Sequence, residues 1–196
     1  QERGVVVAFR DDGTVLWEST PWPDGASDIE AIRMVGDDLY VTGFAEIASD
    51  GAPPSRGMLV ARLASATGAV EWADVLEAHR DPLGFTAGVS LDVSASGFVG
   101  AVGFAAPGGG RTGWLVGMWN DAGERLWESL RTAPDGADLG WEGGDLNLAH
   151  EGHFDGHDEL LVIGNVFSGR DGSDASLVRY APDTGAIAFE IARDAA

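Results

Sequence analysis

The 196-residue sequence contains no cysteine. That removes disulfide cross-links, thiolate metal sites and cysteine nucleophiles at once, and it leaves the redox compartment open. Lysine is missing too. All 12 basic residues are arginine, set against 32 carboxylates, for a formal charge of −20. Phosphate backbones and anionic membrane surfaces both need clustered positive charge, so neither is an expected partner. The acidity is read as serving solubility, with a salt-adapted source or cation binding as the alternatives. No apolar run approaches the roughly 18 residues of a membrane-spanning helix, and no window carries the apolar stripe of an amphipathic helix. Phosphate-loop, dinucleotide and Gly-x-Ser-x-Gly signatures are absent as well.

Glycine, by contrast, is abundant: 29 residues, about twice average usage. Without a Gly-X-Y period, spaced glycines mean many tight turns and therefore many short strands. With 44% hydrophobic residues the chain can form a packed core.

The glycines recur in context. A turn glycine followed four residues later by an aromatic appears as Gly13 to Trp17, Gly68 to Trp72, Gly123 to Trp127 and Gly185 to Phe189, at spacings of 55, 55 and 62. Between these lies a second anchor: Tyr40-Val41-Thr42-Gly43-Phe44, Gly100-Ala101-Val102-Gly103-Phe104 and Leu161-Val162-Ile163-Gly164-Asn165. Two anchors in constant order define one repeating unit. Each unit holds four strand-like runs, some alternating with period two and separated by Asp-Gly, Thr-Gly and Gly-Gly turn signals. Repeated four-stranded units predict an all-β fold, a β-propeller of antiparallel blades packed face to face. The blades are expected near 29–76, 87–130 and 145–191, with two further strands within 4–18, as one domain spanning 1–196. That makes three and a half blades, and exposed sheet edges are a liability. Further blades of a longer chain, or another copy, are therefore expected to complete the ring. Trp17, Trp72 and Trp127 are expected to wedge between blades.

The stretch Val5-Val6-Val7-Ala8-Phe9-Arg10-Asp11-Asp12-Gly13 through Trp17, followed by Leu39-Tyr40-Val41-Thr42-Gly43, resembles the bacterial seven-bladed propeller repeat family. Ser65-Ala66-Thr67-Gly68 to Trp72 and Ala181-Pro182-Asp183-Thr184-Gly185 to Phe189 are similar to the related quinoprotein-type, PQQ-like repeat. The resemblance covers nearly the whole chain. It implies a propeller of a secreted, periplasmic or cell-surface bacterial protein. It does not bring a quinone enzyme with it, because the vicinal disulfide common in such enzymes is impossible here.

Two groups of residues stand out as candidate sites. His150, His153, Asp155 and His157 fall in one polar stretch of the third unit, which reads as an inserted hairpin loop. Imidazole and carboxylate together are ligands for a divalent metal such as Zn²⁺ or Ca²⁺, although the spacing matches no strong motif. The Asp-rich turn at 170–174 lacks the spacing of a Ca²⁺ loop. Trp22, Phe85 and Trp141 lie in the connections between successive units, where aromatic rings can stack on a carbohydrate or contact a protein. No residue is nominated as catalytic. The sequence therefore points to a non-catalytic binding or interaction scaffold of the bacterial envelope or exterior. The alternatives are a hydrolase or lyase with its site over the central channel, or a structural piece of a larger assembly.

Overall fold

The computed structural model describes residues 2–49, 52–77, 85–108, 111–132, 149–167 and 173–193. Fourteen strands run through them: β1 (Val6–Phe9), β2 (Val15–Ser19), β3 (Ser27–Val35), β4 (Asp38–Ser49), β5 (Ala52–Ala64), β6 (Val70–Leu76), β7 (Phe85–Val93), β8 (Val99–Gly108), β9 (Arg111–Trp119), β10 (Arg125–Thr132), β11 (Ala149–Phe154), β12 (Leu160–Phe167), β13 (Ser173–Tyr180) and β14 (Ile187–Arg193). There is no helix among the described residues. The strands form a two-stranded sheet, β1-β2, and three four-stranded antiparallel sheets in chain order: β3 to β6, β7 to β10 and β11 to β14.

The cores lie between sheets. Val6 packs with Leu39, Val41, Ala61 and Leu63 between the two-stranded sheet and the first blade. Met58, Val60, Leu91, Val99 and Trp119 fill the gap between the first and second blades. Val102, Trp114, Leu160, Val162 and Tyr180 fill the gap between the second and third. The middle blade is thus covered on both faces. Its strand β9 is buried at every position from 112 to 119 and reads as a continuous apolar run rather than an alternating one. Among the described residues, the last blade is covered on one face only.

Both sequence anchors acquire a physical cause. The turn glycines adopt positive φ, 71° at Gly68, 82° at Gly123 and 65° at Gly185, a region that L side chains seldom enter. Each also forms the seat for the outer-strand indole of the preceding sheet. A Cβ at Gly68 would collide with the Trp17 ring, and one at Gly123 or Gly185 would lie 2.6 Å from the ring of Trp72 or Trp127. Every indole N–H then donates to a turn carbonyl of the next blade. The pairs are Trp17 to Ser65 (2.8 Å), Trp72 to Asp121 (3.1 Å) and Trp127 to Pro182 (2.8 Å). The second anchor glycine faces a bulge in the inner strand, where Gly43 pairs with Ile29, Gly103 with Gly88 and Gly164 with Ala149. A side chain at Gly43 or Gly103 would run into the carbonyl oxygen of Asp28 or Ala87.

The structure corrects one strand. The stretch read as an inserted loop begins with the inner strand of the third blade itself, Ala149–Phe154. Gly152, taken in isolation, argues against a strand. It is needed because a Cβ there would sit 2.8 Å from Val102 of the second blade.

Replacing Gly123 by Asn should cost about 1–3 kcal/mol, since Asn tolerates positive φ but its Cβ overpacks the Trp72 seat. Gly36 has φ of 60°, and a Cβ there would meet nothing within 4 Å, so Gly36→Asn should stay within about 0.5 kcal/mol of the parent. Urea denaturation compares the two.

Candidate binding surface

The inner strands β3, β7 and β11 carry a cluster at each end. At their starts the cluster is aromatic. Trp22, in the connection between β2 and β3, donates its indole N–H to the carbonyl of Glu46 (3.0 Å). The Glu46 carboxylate accepts from Nε and Nη2 of Arg56, at 3.3 and 3.2 Å. This grip holds the guanidinium over two rings, 4.7 Å from the centroid of Phe44 and 5.4 Å from that of Phe85. Phe85 in turn lies 5.8 Å from Phe44, tilted, and 5.5 Å from Phe104, stacked. The row Phe44–Phe85–Phe104 bridges the first and second blades, and all three rings are half-buried. It stops at the third blade, where the position of Phe44 and Phe104 is taken by Asn165, whose carbonyl accepts the Trp114 indole N–H (2.7 Å).

At the other ends of the inner strands the cluster is charged. Each inner strand resumes its pairing after the bulge with Ala31, Ser90 or Glu151. Two residues further on stand Arg33, Asp92 and His153, the same position in three consecutive blades. Arg33 Nη2 lies 3.2 Å from Asp92 Oδ1. That oxygen is buried and is not reached in hydrogen-bonding geometry, so the contact is an ion pair without a directed bond. Asp92 Oδ2 accepts the backbone N–H of Phe154 (3.0 Å) and sits 3.5 Å from His153 Nδ1. His153 Nε2 is 2.8 Å from Glu151 Oε1. Only 9% of the Asp92 side chain is exposed, against 51% of Arg33 and 50% of His153, so the carboxylate ties three blades together beneath an accessible guanidinium and an accessible imidazole.

The residues nominated from the sequence divide between these clusters. Trp22 and Phe85 come together through Glu46 and Arg56. Trp141 lies outside the described residues, as does most of the Asp-rich turn at 170–174. His153 joins the charged cluster. His150 is exposed at the β11 bulge. Asp155 closes the hairpin turn, its Oδ1 accepting the backbone N–H groups of His157 (2.8 Å) and Glu159 (3.1 Å). The bond from His157 chiefly holds its carboxyl below the ordinary value. Among the described residues no three His, Asp or Glu side chains converge in a metal-holding arrangement. Sequence reasoning missed Phe44, Phe104, Arg56, Arg33 and Asp92. The second anchor already contained both phenylalanines, and Arg33, Asp92 and His153 recur at 59 and 61 residues, close to the repeat.

Solved structures that share this architecture include two bacterial proteins. BamB from Moraxella catarrhalis aligns with a TM-score of 0.51 and 14% identity, over 96% of this chain and 42% of its own. The quinohemoprotein alcohol dehydrogenase from Comamonas testosteroni aligns with a TM-score of 0.61 and 20% identity, over 97% of this chain and 32% of its own. Both are β-propeller proteins with PQQ-like repeats. This chain is a set of β-propeller blades. It spans less than half the length of either neighbour, and at these identities the likeness is one of fold. No protein-family model and no curated protein matches it.

Asp92→Ala should cost about 1–3 kcal/mol, because it leaves the part-buried Phe154 N–H without its acceptor, whereas Asp92→Asn keeps an acceptor and should cost less; urea titration measures both. Asp158, with φ of 61°, accepts a 2.5 Å bond from Ser96 of the second blade, and that bond lowers its pKa from the ordinary 3.8. A carboxyl with a depressed folded-state pKa adds stability above its unfolded value and loses it as pH falls through the folded one. The stability gap between the parent and Asp158→Asn should therefore close on acidification below 3.8, which denaturation over a pH series reads directly.

Proposed function

We propose that the chain is part of a non-catalytic β-propeller scaffold of the bacterial envelope or exterior, which binds a carbohydrate or protein ligand on its aromatic rim. The observation that carries this reading is the row Phe44–Phe85–Phe104 with Arg56 laid across it. Half-buried rings are already positioned by the blades, so binding costs little side-chain entropy, and ring faces favour the apolar side of a sugar or an apolar protein side chain. Arg56, held by Glu46, adds a fixed donor beside them. The envelope or exterior location follows from the resemblance of the repeat.

The pKa values of Asp12, Asp155 and Asp158 are lowered by hydrogen bonds to Thr14, His157 and Ser96 at hairpin turns, while those of Tyr40 and Tyr180 are raised by burial between blades. These groups serve turns and packing, and they stand apart from the aromatic row.

The test is a calorimetric screen of the chain against envelope polysaccharides and envelope proteins, repeated with Phe85→Ala and Arg56→Ala. A ligand of the rim should lose about tenfold or more in affinity with either variant, with the melting temperature of Arg56→Ala close to that of the parent. A ligand held equally well by both variants would overturn the reading.

A further inference from the structure

The charges around the aromatic row narrow the choice of its ligand. Asp28 stands opposite Phe44 across β3 and β4, and Glu46 stands opposite Arg56 across β4 and β5. Opposed residues of an antiparallel pair share a face, and so do residues two apart on one strand. Asp28, Phe44, Glu46 and Arg56 therefore all look toward the second blade.

Two of these charges cancel. Arg56 spends Nε and Nη2 on a single oxygen, Glu46 Oε1. Asp28 is left uncompensated. It is exposed, its Oδ1 accepts the adjacent backbone N–H of Ile29 (2.8 Å), and it has no cationic partner among the described residues. Asp24 is exposed as well. It sits in the connection that Trp22 fastens to Glu46, where a Cβ at Gly25 would collide with the Glu46 carbonyl oxygen. Glu2 and Arg3, which flank Ser27, offset one another. The rim thus carries net negative charge on a chain of charge −20, and an acidic ligand would be repelled.

The rings, for their part, do not make a platform. Phe85 is inclined by 56° to Phe44 and by 30° to Phe104, and the Arg56 guanidinium already lies over Phe44 and Phe85. A sugar stacks its flat apolar side on an open ring face. A faceted row of half-buried rings better receives aliphatic or aromatic side chains, which adapt by rotating. Arg56 Nη1 has no acceptor among the described residues, and with the guanidinium already anchored it can donate to a backbone carbonyl beside such a side chain.

Resting on the reading of this rim as the binding surface, we propose that its occupant is a basic peptide segment of a partner protein, with apolar side chains set between arginines or lysines, and not a carbohydrate. The apolar side chains lodge among Phe44, Phe85 and Phe104. Arg56 Nη1 donates to the peptide backbone, and the basic flanks face Asp24 and Asp28.

The experiment is calorimetry on the 196-residue chain at about 0.15 M salt. The probes are a Gly-Ser peptide carrying Arg-Phe-Arg-Phe-Arg, the same peptide with Ala for Phe, with Glu for Arg or with Ser for Arg, and maltohexaose. The Arg-Phe peptide should bind. Exchanging its Phe for Ala, or Phe85→Ala in the protein, should cost about tenfold or more in affinity. Asp28→Asn lies at an exposed position and should match the parent in melting temperature. It should weaken the Arg-Phe peptide about two- to fivefold, leave the Ser-Phe peptide unchanged, and lose its effect near roughly 1 M salt. Phe85-dependent binding of maltohexaose, a Glu-Phe or Arg-Ala peptide held as tightly as the Arg-Phe peptide, or an Asp28→Asn variant that binds the Arg-Phe peptide like the parent overturns the inference while the rim remains a binding surface. No Phe85-dependent binding of any probe overturns both.

Discussion

A four-stranded sheet with apolar side chains on both faces cannot satisfy itself; it needs another sheet against each face. The rest of this structure follows from that need and from the device that meets it, the ring of Trp17, Trp72 or Trp127 on an outer strand pressed onto the glycine turn of the next blade. The ring contributes apolar area, the glycine provides the space, and the indole N–H finds a turn carbonyl at 2.8–3.1 Å. The contact fixes the distance and rotation between neighbours at the periphery, while the cores between sheets fill the interior. Removing the Cβ at one position in each repeat is what lets the blades approach.

Once the periphery is fixed, the inner strands are brought side by side with their starts on one face and their ends on the other. Variation within the repeat then becomes local chemistry. At one end, equivalent positions carry Phe44 and Phe104, and Phe85 from the neighbouring strand fills the space between them. At the other end, one equivalent position carries Arg33, Asp92 and His153 in turn, and a row of equivalent residues becomes a charge array with the carboxylate in the middle. Neither group is close in sequence. Each exists because the blade spacing places equivalent positions of adjacent blades in contact.

Much of the architecture was legible in the chain because both anchors are local. Positive-φ turns select glycine whatever the surroundings, and a bulge opposite Gly43 or Gly103 selects glycine again. The site was less legible. Trp22 and Phe85 could be nominated from their place between blades, but Arg56 joins them only through Glu46 across a hairpin. The His-rich stretch misled for a physical reason. Gly152 reads as a loop residue in isolation, and only the approach of Val102 from another blade shows that it serves a strand.

The sequence by itself determined the repeat, the all-β class and the aromatic residues that dock the blades, since period, turn glycines and apolar alternation are properties of short segments. The tertiary structure decided which faces are covered and which are open, which aromatics share a rim, and that Asp92 sits beneath Arg33 and His153. Those outcomes depend on contacts between residues about 60 positions apart, and such contacts exist only after the blades have packed.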